Sequence, residues 1–254
     1  MMNVKYYIPI FYILFCLTSA AYSQQPDSQL TVQFHEAGIS YKIQDYKKAI
    51  ELYEGIVKAG WVSGELYYNL GNSYLKNGKL GEAILNYERA RRLMPRDSDL
   101  ISNYHYALSQ IKDEGEFGKE PFINRLINRY ADFFSFDEIT VMVFVSFFLT
   151  GIIYFLGLFL KWPTRVYVVS IVLLCLFLSG NGFILAYKIG QQKNLAVVFK
   201  KANAKFEPLP DASVHFELTP GWRVKILMQE SGWVKVKRLD GKVGWIKQEA
   251  VEKI

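Results

Sequence analysis

Leu66-Tyr67-Tyr68-Asn69-Leu70-Gly71-Asn72-Ser73-Tyr74, followed by Ala83-Ile84-Leu85-Asn86-Tyr87-Glu88-Arg89-Ala90 and then Pro95, decides the fold of the first half of this chain. Gly71 and Ala83 are small where two helices must cross closely, and Leu70, Tyr74 and Tyr87 fill the space beside them. Gly78 provides the turn between the helices. Pro95 lacks an amide proton and ends the second one, and Asp97 to Gln110 begins another helix that covers the exposed face. At a spacing of 34 residues Ala49 repeats as Ala83 and Tyr53 as Tyr87, while Ala37 with Gly71 and Ile56 with Ala90 agree in class. The pattern predicts two helix pairs and a third leading helix over residues 29–112.

The better copy resembles a tetratricopeptide (TPR) repeat, with Tyr67 where tryptophan is commonest. The resemblance assigns packing to Tyr67, Leu70, Gly71, Tyr74, Ala83, Tyr87, Ala90 and Pro95. The first copy departs from it, having Gln33 or Phe34 near the Trp position and Glu36 in place of Leu. Two repeats are few for a solenoid, so a partner chain or a membrane is expected to complete the stack. A TPR array binds extended peptides along the face lined by its first helices, which here carries Tyr68, Asn69, Asn72, Lys76, Asn103 and Tyr106. Asn69 and Asn103 lie one period apart, and an amide offers both a donor and an acceptor. Two readings stand: these asparagines hold a bound peptide backbone, or they bridge neighbouring helices. Lys76 with Asn72 either receives a carboxylate or is a solvated side chain.

Outside this region the composition points to a membrane. Of 254 residues 51% are hydrophobic and 21% charged, too apolar for a disordered chain and too charged for a wholly embedded one. Residues 1–23 read as a secretory signal: Lys5, an apolar run from Tyr6 to Leu17, and small residues ending at Ser23. An uncut anchor is the alternative. Two runs of 22 residues without a charge, 139–160 and 166–187, are long enough to cross about 30 Å of hydrocarbon. Ser135 and Glu138 predict a capping box at the start of the first span. The connector 161–165 suits a cytoplasmic loop, although Lys188, Lys193, Lys200 and Lys201 after the second span outnumber its two cations. Asn181 is expected to snorkel to the interface or to pair with a partner helix. In the segment 113–138, Phe122, Ile123, Leu126, Ile127, Tyr130, Phe133 and Phe134 recur at helical spacing, for a helix in the headgroup plane or packed on the preceding domain.

From Asn194 onward four strand-length runs appear, at 196–199, 223–227, 233–237 and 243–246, with Asp240-Gly241 as a hairpin turn. Gly221, Val224, Gly232-Trp233, Val236, Asp240-Gly241 and Gly244-Trp245-Ile246 resemble a bacterial SH3-type domain over 194–254. Trp222, Trp233 and Trp245 are candidates for an aromatic ligand surface toward an extended or cell-wall peptide, with core packing the alternative for at least one of them. The stretch 204–210 departs from the family's usual loop. Lys235, Lys237, Arg238, Lys242 and Lys247 guard strand edges and do not point to nucleic acid.

The expected fold class is therefore multidomain α plus membrane plus β: a TPR α-solenoid, a two-helix transmembrane hairpin and a small SH3-like β-barrel. His35, His105 and His215 are isolated, no nucleophile, zinc-protease or phosphate-loop motif occurs, and the two cysteines Cys16 and Cys175 lie in apolar runs. No enzyme, cofactor, metal or nucleic-acid partner is expected. In its order of parts the chain resembles the BatE-type aerotolerance proteins. That resemblance implies a place in the Bat system beside von Willebrand factor A-type membrane proteins and a MoxR-type ATPase, in stress tolerance. With the signal, it implies an inner bacterial membrane with both soluble domains in the periplasm.

Overall fold

The computed structural model describes residues 28–111, 122–160, 163–238 and 240–254. The signal read at 1–23, the stretch 113–121 of the juxtamembrane segment, and Lys161 and Trp162 of the connector lie outside the described residues.

Five helices form the N-terminal domain: α1 Ser28–Lys42, α2 Tyr46–Lys58, α3 Gly64–Lys76, α4 Leu80–Leu93 and α5 Ser98–Ser109. Three of them open on a side-chain cap that satisfies an otherwise orphaned amide. Asp45 accepts from Lys48 N at 3.1 Å, Ser63 from Leu66 N at 3.0 Å and Asp97 from Leu100 N at 2.8 Å. The α3–α4 turn uses Gly78 at φ +76, a left-handed conformation that favours glycine. Helix α4 stops at Leu93, two residues before Pro95. At the α3–α4 crossing a methyl on Gly71 would come 2.8 Å from the Tyr87 ring and 3.3 Å from the Ala83 carbonyl, so only glycine permits this approach. Tyr53, Ile56, Leu66, Ile84, Tyr87 and Leu100 are fully buried, each worth roughly 1.5–3 kcal/mol of transfer energy.

Helix α6 (Phe122–Phe133) leads into α7 (Phe136–Leu160) and α8 (Thr164–Gln192), which pack on each other as an antiparallel hairpin. Both are long and apolar enough to cross a membrane, and little of either apolar stretch is buried within the protein. The capping box at the start of α7 is reciprocal: Ser135 N donates to Glu138 Oε2 at 2.8 Å and Glu138 N to Ser135 Oγ at 3.1 Å. Helix α6 docks on α8, not on the helical domain alone. Tyr130 donates to Asn181 Oδ1 at 3.0 Å, Tyr187 donates to Asn128 Oδ1 at 2.8 Å, and the Lys188 ammonium donates to the carbonyls of Ala131 and Phe134. Asn181 is thus buried against α6 instead of reaching for an interface or another chain. A polar group there is satisfied inside the protein at no cost in exposure.

Seven antiparallel strands complete the chain: β1 Leu195–Val198, β2 Ala202–Lys205, β3 Val214–Leu218, β4 Arg223–Glu230, β5 Trp233–Arg238, β6 Val243–Lys247 and β7 Val251–Lys253, in the order β3-β2-β6-β5-β4-β1-β7. Val224, Ile226, Val234, Val236 and Ile246 form its core. The fold class read from sequence, a helical solenoid, an apolar hairpin and a small SH3-like β domain, holds.

The sheet rests on α4. A methyl on Gly81 would meet Phe199 Cα at 2.6 Å, and one on Gly221 (φ +96) would meet Ile84 Cδ1 at 2.7 Å and Ile111 Cγ1 at 3.1 Å. Arg89 Nη2 donates to Glu252 Oε1 at 2.6 Å and to the Lys253 carbonyl at 3.1 Å. The helical domain also touches α6, where Arg91 approaches Asp132 at 3.6 Å, and the hairpin, where Arg96 pairs with Glu138.

Candidate functional site

The sheet packs on α4, the second helix of its pair, and touches Tyr104 of α5 through Arg223, while Lys76 of α3 and Tyr106 of α5 mark another face that stays exposed. Tyr68, Asn72 and Asn103 are brought together on that face. Asn72 Oδ1 accepts from the Tyr87 hydroxyl at 2.7 Å and from Asn103 Nδ2 at 3.0 Å, and Asn103 Nδ2 also reaches the Tyr68 hydroxyl at 2.9 Å. The network ties α3 to α4 and α5, so Asn72 and Asn103 bridge helices. Asn72 Nδ2 and Asn103 Oδ1 take no part in it. Asn69 is half-buried, and its carbonyl accepts from Ser73 Oγ at 2.8 Å. Lys76 is exposed and Tyr106 is 60% exposed, so a long cation and an aromatic ring stand free at this face.

Leu70, Gly71, Tyr74, Ala83, Tyr87 and Ala90 are buried, while Tyr67 and Pro95 are half-buried, Tyr67 lying under the Arg89 guanidinium at 5.7 Å. Tyr74 donates to Glu54 of α2, and burial together with that carboxylate drives its hydroxyl well above the ordinary tyrosine range. Burial pushes Tyr53 up to about 12.

A second cluster was invisible in the sequence. Glu88 of α4 is 2% exposed and meets Arg91 Nη2 at 3.2 Å, Arg223 Nη1 at 3.5 Å and the Tyr104 hydroxyl. Arg223 Nη1 also reaches Tyr104 Oη at 3.2 Å. Burial pushes the Glu88 carboxyl up, but Arg91, Arg223 and the Tyr104 hydroxyl outweigh it and hold the group below the usual carboxylate range. The carboxylate therefore joins the two domains. Its partner Arg223 is 135 residues distant, and no periodicity links them.

The three tryptophans part company. Trp222 is buried with the Arg238 guanidinium 4.0 Å above its ring, and Trp245 is buried beneath Lys235 at 5.6 Å. Trp233 is half-buried and lines an open groove of about 750 Å³ with Pro210, Ser231, Gly232, Lys247, Gln248 and Glu249. Lys205 lies 5.8 Å from its ring. Among the described residues no three His, Cys, Asp or Glu side chains gather as a metal site.

The Tetratricopeptide repeat family matches residues 64–97, covering α3, α4 and their flanks. The Bacterial SH3 domain family matches residues 199–253, nearly the whole sheet. No curated protein matches the chain. The chain thus joins two kinds of interaction module, one on each side of an apolar hairpin in sequence and in contact in space.

Proposed function

We propose that this protein is a non-enzymatic, membrane-anchored scaffold. Its TPR face docks partner proteins, and the helices α7 and α8 hold it in a bacterial inner membrane with both soluble domains in the periplasm. The observation that carries this reading is that the sheet packs on α4 while Lys76 and Tyr106 stay exposed beside the half-buried Tyr68, Asn69, Asn72 and Asn103. Contact between helical domain and sheet supports a shared compartment, since domains on opposite sides of a bilayer do not touch. The order of parts supports a place in a Bat-type complex of the BatE kind, with von Willebrand factor A-type membrane proteins as direct partners and a MoxR-type ATPase reached through them.

Crosslinking followed by co-purification tests the groove. Lys76→Ala with Tyr106→Ala removes two exposed side chains without touching the core, and recovery of membrane partners is expected to fall about fivefold or more. Recovery equal to wild type removes the groove assignment. A reporter fused after Ile254 should read as periplasmic.

A second reading, anchoring to peptidoglycan, is favoured by the open groove beside Trp233. Retention of the full-length protein on purified cell wall, lost in Trp233→Ala, supports it. No retention leaves the scaffold alone.

A further inference from the structure

Where α4, α6, α8 and the sheet meet, a cavity of about 200 Å³ is lined by residues that include Arg91, Arg92, Lys188, Arg223 and Lys225. Five cations there face two carboxylates, Glu88 and Asp132. Those two carboxylates are engaged by Arg91 and Arg223, as described. Of the other three cations, Lys188 meets the carbonyls of Ala131 and Phe134, Lys225 meets the Gln191 Oε1 at 2.6 Å, and Arg92 Nη1 donates to an oxygen of Ile254 at 2.7 Å. Arg92 Nη2 and Arg91 Nε are buried with no acceptor. Burial, with Arg89 and Arg91 close by, pulls the Arg92 guanidinium below its ordinary range against the opposing effect of Glu88.

Positive charge gathered in a partly enclosed cavity favours an anion there. The cavity also has a definite level. It lies where the apolar run of α8 gives way to Lys188, Gln191 and Gln192, beside α6, whose Phe122, Ile123, Leu126 and Phe133 are exposed. Exposed apolar side chains on a helix at the end of an apolar hairpin belong at the headgroup layer.

We propose that this cavity is a binding site for a phosphate group, held by Arg92 and Lys225 with Lys188 at its floor, and that the group it takes is the phosphodiester of an anionic lipid such as phosphatidylglycerol. The volume accepts a phosphoglycerol headgroup and excludes acyl chains, which run along α6 and α8. The bound anion joins helical domain, hairpin and sheet at one point. This inference does not depend on the scaffold reading. It does rest on α7 and α8 spanning a bilayer.

Thermal unfolding of the full-length protein in nanodiscs tests it in three arms: phosphatidylcholine alone, phosphatidylcholine with phosphatidylglycerol, and phosphatidylcholine with inorganic phosphate in solution. The phosphatidylglycerol arm is expected to unfold at higher temperature than phosphatidylcholine alone, with the gain shrinking as salt is raised. Arg92→Gln and Lys225→Gln should each weaken phosphatidylglycerol binding about fivefold, by titration of the lipid fraction. The exposed-face control Lys237→Gln should leave it unchanged. A gain from inorganic phosphate equal to that from the lipid identifies a free phosphate as the ligand of the same site. If neither anion raises the wild-type unfolding temperature, or if Lys237→Gln weakens binding as much as Lys225→Gln, the site is excluded. The wild-type arms decide the matter even where Arg92→Gln fails to fold.

Discussion

Glu88 is the residue on which the two soluble domains turn. A carboxylate 2% exposed between two guanidinium groups and a phenol is stable only while all of them are in place. Glu88→Gln should cost about 3 kcal/mol, read as a lowered unfolding temperature, because it strands the Arg91 and Arg223 charges in the junction. The folded carboxyl ionises below the ordinary glutamate value. Its contribution is therefore complete above about pH 4.3 and is lost as pH falls through the lower folded value. Wild type should lose stability on acidification below that point, and Glu88→Gln should show a shallower acid limb; identical acid limbs would dismiss this role. Tyr53 behaves in the opposite sense. Its hydroxyl ionises at about 12, so its neutral form supports the fold below the unfolded value of about 10 and the contribution is lost between there and about 12. Ultraviolet titration should show one fewer late-appearing phenolate in Tyr53→Phe than in wild type, with the other raised tyrosines, Tyr74, Tyr87 and Tyr104, still late.

Packing among elements was legible where the sequence repeats itself. Gly71 and Ala83 announced a helix crossing, and the glycine meets the Tyr87 ring there at a distance no methyl tolerates. Gly71→Ala should destabilise by about 1–3 kcal/mol, measured by denaturant unfolding, since either the tyrosine or the helix must shift. Strands were legible only where β-branched and aromatic residues cluster. β2 is Ala-Asn-Ala-Lys, and β7 is a three-residue run after a 3-10 turn, so neither carries a local strand signal; β3, Val-His-Phe-Glu-Leu, does alternate but sits after a Pro-rich loop. Their place is fixed by pairing with β6, β2 and β1, which is tertiary information. The meeting of side chains from α3 and α5 was legible in outline. Tyr68, Asn72 and Asn103 do converge, but the bridging bond from Tyr87 depends on a helix geometry that spacing alone does not give.

At the scale of the whole molecule the junction between helices and sheet is the feature sequence could not supply. Gly81 carries no signal in the sequence and Gly221 only one for the SH3-type domain itself, yet each marks a point where backbone lies against the other domain. Gly81→Val should push α4 from Phe199, because main-chain atoms cannot yield as a flexible side chain can. Amide exchange is expected to rise in β1 and α4 while β5 and β6 stay protected; unchanged exchange in β1 would mean that the contact adds nothing to order.

The 135-residue separation of Glu88 and Arg223 also sets a clock. At roughly 5–20 residues per second of synthesis, Glu88 waits about 7–27 s for its second guanidinium, and both apolar helices must be made in that interval. The helical domain therefore leaves the ribosome with its junction unfinished. Its last charge pair closes only after the hairpin has turned back, so the completed junction reports that the hairpin has been correctly placed.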